Sequence, residues 1–223
     1  EDLRKTLLEQ MKSDMAEDLK KKGQEPGEDL NHIWRDAHEN NSKPSYFQVL
    51  SPYRGEHFGV DEINRVCQEQ IRGKRPEGNN ALDGVMLFDK VIQVRNRPSS
   101  KPIWAWYHPA RRMEEIEIFN GQIGFVWPHL FDKNKWMTRF FNLEKFRVSF
   151  DRRSDYSVGY GKKLGQDPKG HWIKEESVLE NLELAYAISV HKAQGSEFER
   201  VYVVVPKSKQ SLLSTELFYT GLT

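Results

Sequence analysis

The sequence predicts an α/β protein in which a parallel-sheet domain follows a helical lead and is interrupted by a small β-barrel. Three observations lead there. An apolar run, a Pro/Gly loop and a helical pattern follow one another over residues 46–71, which is the strand-loop-helix unit of a parallel sheet. Short β-prone runs separated by turn residues then fill about 60 residues, as in a small barrel. After residue 187 the α/β pattern returns, with a polar loop between two apolar runs.

In residues 1–22, Leu3, Leu7, Leu8, Met11, Met15 and Leu19 share one helical stripe, and Gly23 with Pro26 supplies the stop. A second helical pattern uses Leu30, Ile33, Trp34 and Ala37 and ends in the breakers Asn40-Asn41-Ser42-Lys43-Pro44, so the lead covers 1–43. Tyr46-Phe47-Gln48-Val49-Leu50 is a β-prone run closed by the loop Ser51-Pro52-Tyr53-Arg54-Gly55. Asp61 is placed to cap a helix bearing Ile63, Val66 and Ile71. Strands are expected at 85–94, 116–119, 123–126 and 146–150, with a short run near Trp172. Asn120-Gly121 between two of these predicts a hairpin through a type I′ turn, which needs φ > 0 at both positions. Gly159-Tyr160-Gly161-Lys162-Lys163-Leu164-Gly165 reads as a flexible barrel loop. The last third predicts strands at 187–190 and 201–205, the second closed by Pro206, and a helix from about Ser214.

The 223 residues carry 34 basic and 33 acidic side chains, a formal charge of +1 that excludes a polycation or an acidic tail protein. The sum hides an uneven distribution. Residues 1–40 are net −4, whereas 90–112 hold six cations and no acid. No apolar run approaches the ~20 residues that span a bilayer, and the N-terminus is not a signal peptide, so a cytoplasmic location and no membrane partner are expected. The lone Cys67 excludes an intrachain disulfide and any Cys-x-x-Cys zinc site, and its helical context suits a buried structural thiol. The chain has no initiator Met and stops on Thr223, from which a fragment is expected.

Several kinds of chemistry are missing. Gly73-Lys74 and Gly161-Lys162 are not followed by Ser or Thr and lack the earlier glycine of a phosphate loop. The apolar run ending in Asp89 resembles a magnesium-binding strand end, but Lys90 follows it, which favours a structural role. The seven histidines show no i,i+4 pair, and no Gly-x-Ser-x-Gly is present, so no metal site is expected. Two stretches remain. In 90–112, Lys90, Arg95, Arg97, Lys101, Arg111 and Arg112 are interleaved with Trp104, Trp106 and Tyr107, the composition that tracks a phosphate backbone and stacks on bases. The competing reading is a tryptophan hairpin packed on the barrel with solvated cations. The other stretch, from Ser189 to Phe198, is a polar loop between apolar strands, and in an open α/β sheet such a loop lies in the ligand crevice.

The segment Leu184-Ala185-Tyr186-Ala187-Ile188-Ser189-Val190-His191-Lys192-Ala193-Gln194-Gly195-Ser196-Glu197-Phe198 resembles motif V of superfamily 1 DNA helicases, in the form typical of the RecD-like branch. Two more blocks agree in order and spacing. Phe47-Gln48-Val49-Leu50-Ser51-Pro52-Tyr53-Arg54-Gly55, continuing to Gly59-Val60 and Ile63-Asn64, is similar to the start of that family's second motor domain. Asp89 to Asn96, continuing to 119–124, is similar to the lead into its inserted SH3-like barrel. Leu217-Phe218-Tyr219-Thr220-Gly221-Leu222-Thr223 resembles the opening of motif VI, which in the family continues into an arginine finger.

The resemblance implies a RecA-like second motor domain over 44–112 and 181–223, with an SH3-like barrel inserted at 113–180 and a boundary lying between 85 and 115. It implies an ATP-dependent DNA helicase or exodeoxyribonuclease subunit that uses ATP and Mg2+, bound mainly by a first motor domain. Gln194, Gly195 and Glu197 are then expected near the nucleotide. Ser189, His191, Lys192, Ser51 and Arg54 are expected toward single-stranded DNA, with Arg95, Trp104 and Trp106 as further DNA-binding candidates. Partners would be single-stranded DNA, the first RecA-like domain and nuclease-complex subunits. No complete catalytic set is expected in this stretch. The alternative is a free-standing small-barrel module that binds single-stranded nucleic acid through 90–112.

Overall fold

Methionine and leucine side chains spaced four apart drive the first element, α1 (Leu3–Lys21), in which Met11, Met15 and Leu19 are buried. It ends as the glycine predicts. The Gln24 N–H donates to the Leu19 carbonyl at 3.0 Å and the Gly23 N–H to that of Lys20 at 2.9 Å, a Schellman closure. The computed structural model describes residues 3–28, 34, 43–73, 81–128, 143–161 and 166–205. Most of the expected helix around 30–37, the helix from Ser214 and the motif VI-like segment 217–223 lie outside the described residues.

The chain forms two compact units, Glu1–Arg75 with Tyr186–Thr223, and Pro76–Ala185. In the first, β1 (Phe47–Ser51) is buried along its whole length, as a central parallel strand must be. It runs parallel to β11 (Ala187–Ser189) on one side and to β12 (Arg200–Val203) on the other. Helix α2 (Val60–Arg72) packs Ile63, Cys67 and Ile71 inward, and Cys67 is the buried thiol expected. Asp61 does not cap α2. The N-cap is Gly59 without a side-chain bond, and Asp61 sits in the first turn, where it complements the helix dipole. Trp34 packs edge-on to Phe47 at 5.3 Å and against Tyr186 at 5.5 Å.

The second unit holds a small β2–β3 pair (Ala81–Leu82, Val85–Met86) and a seven-stranded antiparallel sheet. The sheet comprises β4 (Lys90–Gln93), β5 (Ile103–Tyr107), β6 (Arg112–Ile116), β7 (Ile123–Pro128), β8 (Lys145–Phe150), β9 (Tyr156–Gly161) and β10 (Leu182–Leu184). Its order is β10-β4-β7-β8-β9-β5-β6, and among the described residues its two edges do not pair, so no closed barrel is present. A reciprocal bridge does join the chain after β4 to the chain after β6: the Arg97 N–H donates to Ile118 at 2.6 Å and receives the Ile118 N–H at 3.0 Å. The core is Val91, Ile103, Ala105, Ile118, Val126, Phe146, Val148, Phe150, Val158 and Tyr160, among others.

Three expected elements differ. The run 85–94 is not one strand, because Phe88 takes φ 66° and Asp89 turns inward to accept the Met86 N–H at 2.7 Å. That buried carboxylate has the structural role expected of it. Asn120-Gly121 makes a turn but no hairpin. Only Gly121 has positive φ, the Gln122 N–H returns to the Phe119 carbonyl in type II fashion, and the flanking strands pair elsewhere, β6 with β5 and β7 with β4 and β8. Residues 159–161 are not loop but the end of β9, because Tyr160 is a fully buried core side chain whose hydroxyl donates to Gln93 at 2.6 Å.

Candidate functional site

Two of the predicted residues meet at the carboxyl edge of the parallel sheet, where Ser51 and Ser189 end adjacent strands in register. Their hydroxyls do different work. Ser51 is buried, donates to the Phe58 carbonyl at 2.9 Å and accepts the Tyr53 N–H at 3.2 Å, so it folds the 51–59 loop back on itself. That loop caps α2. The Val60 N–H donates to the Tyr53 carbonyl at 2.9 Å and the Asp61 N–H to that of Arg54 at 3.1 Å. Only glycine fits at 59, since a Cβ there would be driven into the carbonyl oxygens of Gly55 and Arg54. Arg54 keeps its head in solvent, 3.5 Å from Asp61.

Ser189 begins the short helix α3 (Val190–Ala193) as its N-cap, accepting the Lys192 N–H at 3.4 Å. Val190 and Ala193 are buried, which leaves His191 exposed and Lys192 half-buried on the outer side. The chain then reverses through Ala193–Ser196. Gln194 has φ −55° and ψ 129°, Gly195 has φ 73°, and the Ser196 N–H donates to the Ala193 carbonyl at 3.0 Å, a type II turn. Gln194, Gly195 and Glu197 are exposed at this turn, and a Cβ on Gly195 would meet nothing within 4 Å. Glycine is therefore favoured there for its backbone angle, and a Cβ would have space beside it.

Two supports of the parallel sheet escape sequence reasoning. Asn64 of α2, which the sequence marks only within a motif block, is buried against β11; it donates to the Ala187 carbonyl at 2.9 Å and accepts the Ala187 N–H at 2.8 Å. The acidic face of α1 is not idle either. Asp14 accepts from the Tyr202 hydroxyl at 2.8 Å and lies 3.3 Å from Arg200, while Asp18 accepts from Arg200 at 2.9 Å and from the Tyr46 hydroxyl. Burial and the Asp18 bond push the Tyr46 phenol well above its ordinary range. Burial opposes ionisation of Asp18, but its bonds to Tyr46 and Arg200 prevail and hold the carboxyl below its usual value. Glu62 is also lowered, to about 2, chiefly by Arg65 and then by Arg4. The signal was present in the i,i+4 spacing of Asp14 and Asp18, but the charge sum of the lead hid it.

In the antiparallel unit, the basic stretch is largely spent on internal pairs. Lys90 is buried, Arg95 is 2.7 Å from Glu180, Arg97 makes a two-pronged pair with Glu176 at 2.5 and 2.8 Å, and Arg112 is 2.7 Å from Glu114. Lys101 and Arg111 stay exposed. Trp104 and Trp106 are half-buried on the face of β5 opposite the core residues Ile103 and Ala105. Among the described residues no group of three or more His, Cys, Asp or Glu is arranged to hold a metal, and no helix is long and apolar enough to cross a membrane.

Residues 184–223 match the UvrD-like helicase C-terminal domain family. The chain is 41% identical over 181 residues to the RecBCD enzyme subunit RecD of Buchnera aphidicola from Acyrthosiphon pisum, covering 79% of this chain and 23% of that protein. It is 28% identical over 185 residues to the ATP-dependent RecD2 DNA helicase of Deinococcus radiodurans, covering 81% and 19%. It is also 32% identical over 186 residues to the uncharacterized protein MJ1519 of Methanocaldococcus jannaschii, covering 79% and 14%. The chain thus spans less than a quarter of each of these relatives.

Proposed function

From its relationship to the RecD-like superfamily 1 helicases, we propose that the chain works as the second RecA-like motor domain of an ATP-dependent DNA helicase, with an SH3-like insertion. One observation carries the reading. The segment that resembles motif V turns at the carboxyl edge of a parallel sheet, where ligands of open α/β sheets bind, and presents Gln194, Gly195 and Glu197 to solvent. The open space beside Gly195 suits approach of a nucleotide, and the Gln194 amide and Glu197 carboxylate are free of the core to meet its edge. ATP and Mg2+ would be bound mainly by a first motor domain, which this chain would complete from one side. Ser189, His191 and Lys192, one turn earlier, would face single-stranded DNA, with Arg54 beside them. ATP binding would close the cleft and shift the grip along the strand. The Arg97–Ile118 bridge supports the barrel reading, since it draws together the chain after β4 and after β6.

The test uses the parent chain. Glu197→Gln there is expected to lower DNA-stimulated ATP hydrolysis at least tenfold with DNA binding retained, while the 223-residue chain alone turns over no ATP. Unchanged hydrolysis by the variant, or robust turnover by the chain alone, refutes the assignment. The free-standing module is disfavoured by the ion pairs of Arg95, Arg97 and Arg112, which neutralise half of the cations it relied on.

A further inference from the structure

Strand β8 alternates strictly. Phe146, Val148 and Phe150 are buried in the core, which puts Arg147 on the opposite face of the sheet. Arg147 is half-buried there, its Nε donating to the Pro128 carbonyl at 3.2 Å, and among the described residues it has no carboxylate partner. The other side chains of this face can be read from the register. Arg147 is opposite Trp127 on β7 and Gly159 on β9; Ser157, two residues from Gly159, is opposite Trp106 on β5; Trp106 is opposite Met113 on β6. His108 closes over Ser157, ring Nε2 to Oγ at 2.7 Å. Burial and the nearby Arg147 charge hold the His108 ring below its usual range, with Asp155 opposing them.

A half-buried guanidinium with no carboxylate partner among the described residues, set two strands away from two tryptophans, offers an anion site next to a stacking surface. We propose that Arg147, with His108 beside it, seats a backbone phosphate of single-stranded DNA whose neighbouring bases stack on Trp106 and Trp104. This rests on the DNA-binding reading above and names the residue that takes the phosphate. Arg95 is a weaker candidate for that task because Glu180 already holds it. The spacing also suits a single strand. From β8 to β5 is two strand separations, roughly 10 Å, with the small residues Ser157 and Gly159 on the strand between.

The experiment measures binding of a fluorescent oligothymidylate to the 223-residue chain across a salt series, for wild type, Arg147→Gln, Arg147→Lys, Trp106→Ala and Arg95→Gln, each checked for fold by circular dichroism. Arg147→Gln is expected to weaken binding roughly three- to tenfold and to flatten the plot of log K against log salt by about 0.7, the loss of one phosphate contact. Arg147→Lys retains the slope, Trp106→Ala weakens binding at unchanged slope, and Arg95→Gln changes the slope less than Arg147→Gln. Binding of DNA by wild type with an unchanged slope in Arg147→Gln overturns the seat and leaves the DNA reading standing. Tripolyphosphate is the second probe. If wild type binds no DNA but tripolyphosphate alters tryptophan fluorescence in an Arg147-dependent way, the seat stands and its DNA assignment falls. No response to either ligand overturns both.

Discussion

Replacing Asn64 with Ala should detach the motif V-like strand from its helix. Asn64 is 5% exposed and closes two bonds on one residue, donating to the Ala187 carbonyl and accepting the Ala187 N–H. Because β11 is an edge strand among the described residues, the side chain does for Ala187 what a neighbouring strand would. The variant leaves a buried donor and a buried acceptor unmet, each costing about 1–3 kcal/mol, so with partial hydration at the edge the loss should be about 2–4 kcal/mol. Against a domain stability of about 5–15 kcal/mol this is a large fraction, readable as a shift of the urea midpoint at unchanged slope. Asn64→Asp sharpens the test. Its carboxylate would be desolvated and would face the Ala187 carbonyl, so its folded pKa lies above the unfolded value of about 3.9. Relative to wild type at the same pH, that variant should be nearly intact below pH ~3.9 and should lose stability as pH rises through its folded pKa. A loss under about 1 kcal/mol in Asn64→Ala, or an Asn64→Asp deficit that shrinks with rising pH, would show that Asn64 does not pin β11.

Gly59→Ala should destabilise the parallel unit by about 2 kcal/mol or more, because the new methyl meets the backbone oxygens of Gly55 and Arg54, the second of which caps α2, and the urea midpoint reports it. Gly195→Ala should cost only about 1 kcal/mol, the price of a left-handed backbone, and Gly195→Asn less still; equal losses for the two would mean that packing and not φ is limiting at 195. Acid should loosen α1 from the parallel sheet. The folded pKa values of Asp18 and Glu62 are depressed, so the stability they contribute is complete above their unfolded values and disappears as pH falls from about 4.5 toward 2. Asp18→Asn and Glu62→Gln together should flatten that part of the profile, and a profile unchanged by both substitutions would remove the carboxylates as its cause.

The parallel unit was legible because its signals are local and mutually consistent. A short run rich in apolar residues between breakers reads as a buried strand, and a glycine after a polar turn marks where the chain takes φ > 0. The antiparallel unit was harder, since strand pairing is a long-range property. Asn120-Gly121 has the chemistry of a hairpin turn, yet Gly121 and its neighbour Gln122 bond to Gln93, 27 residues before Asn120, and so the same dipeptide links strands that do not pair. Tyr160 reads as loop because glycines flank it, yet those glycines lie on a strand whose core contact depends on Gln93 far upstream. The site showed the same division. Gln194, Gly195 and Glu197 could be found by motif, whereas Ser51 turned out to be a buried organiser of its loop, a fact only its partners Phe58 and Tyr53 disclose.

Charge density in sequence gave the least reliable guide, and the reason suggests how the Arg147 face works. Three arginines of the 90–112 stretch are met by Glu176, Glu180 and Glu114, two of them some 80 residues away in sequence, so a window of six cations shows little of that charge to a ligand. Arg147 sits in a run with unremarkable charge, but its strand period carries it out of the core, partly desolvated and without a carboxylate among the described residues. Desolvation of a cation is a cost that the free chain bears and that a bound phosphate would offset. Burial accordingly pushes the guanidinium of Arg147 below its ordinary range, where ion pairing raises that of Arg65. The two kinds of arginine should then respond oppositely to neutralisation. Removing Arg97, whose pair with Glu176 is mostly buried, strands that carboxylate and should cost about 3 kcal/mol, whereas Arg147→Gln strands no charge and gives up one hydrogen bond to a carbonyl, about 1 kcal/mol, while relieving the desolvation. Its urea midpoint should stay within about 1 kcal/mol of wild type or rise, even as DNA affinity falls. A variant that loses stability and affinity in proportion would mean that Arg147 holds the sheet together and that its exposure to a ligand is incidental.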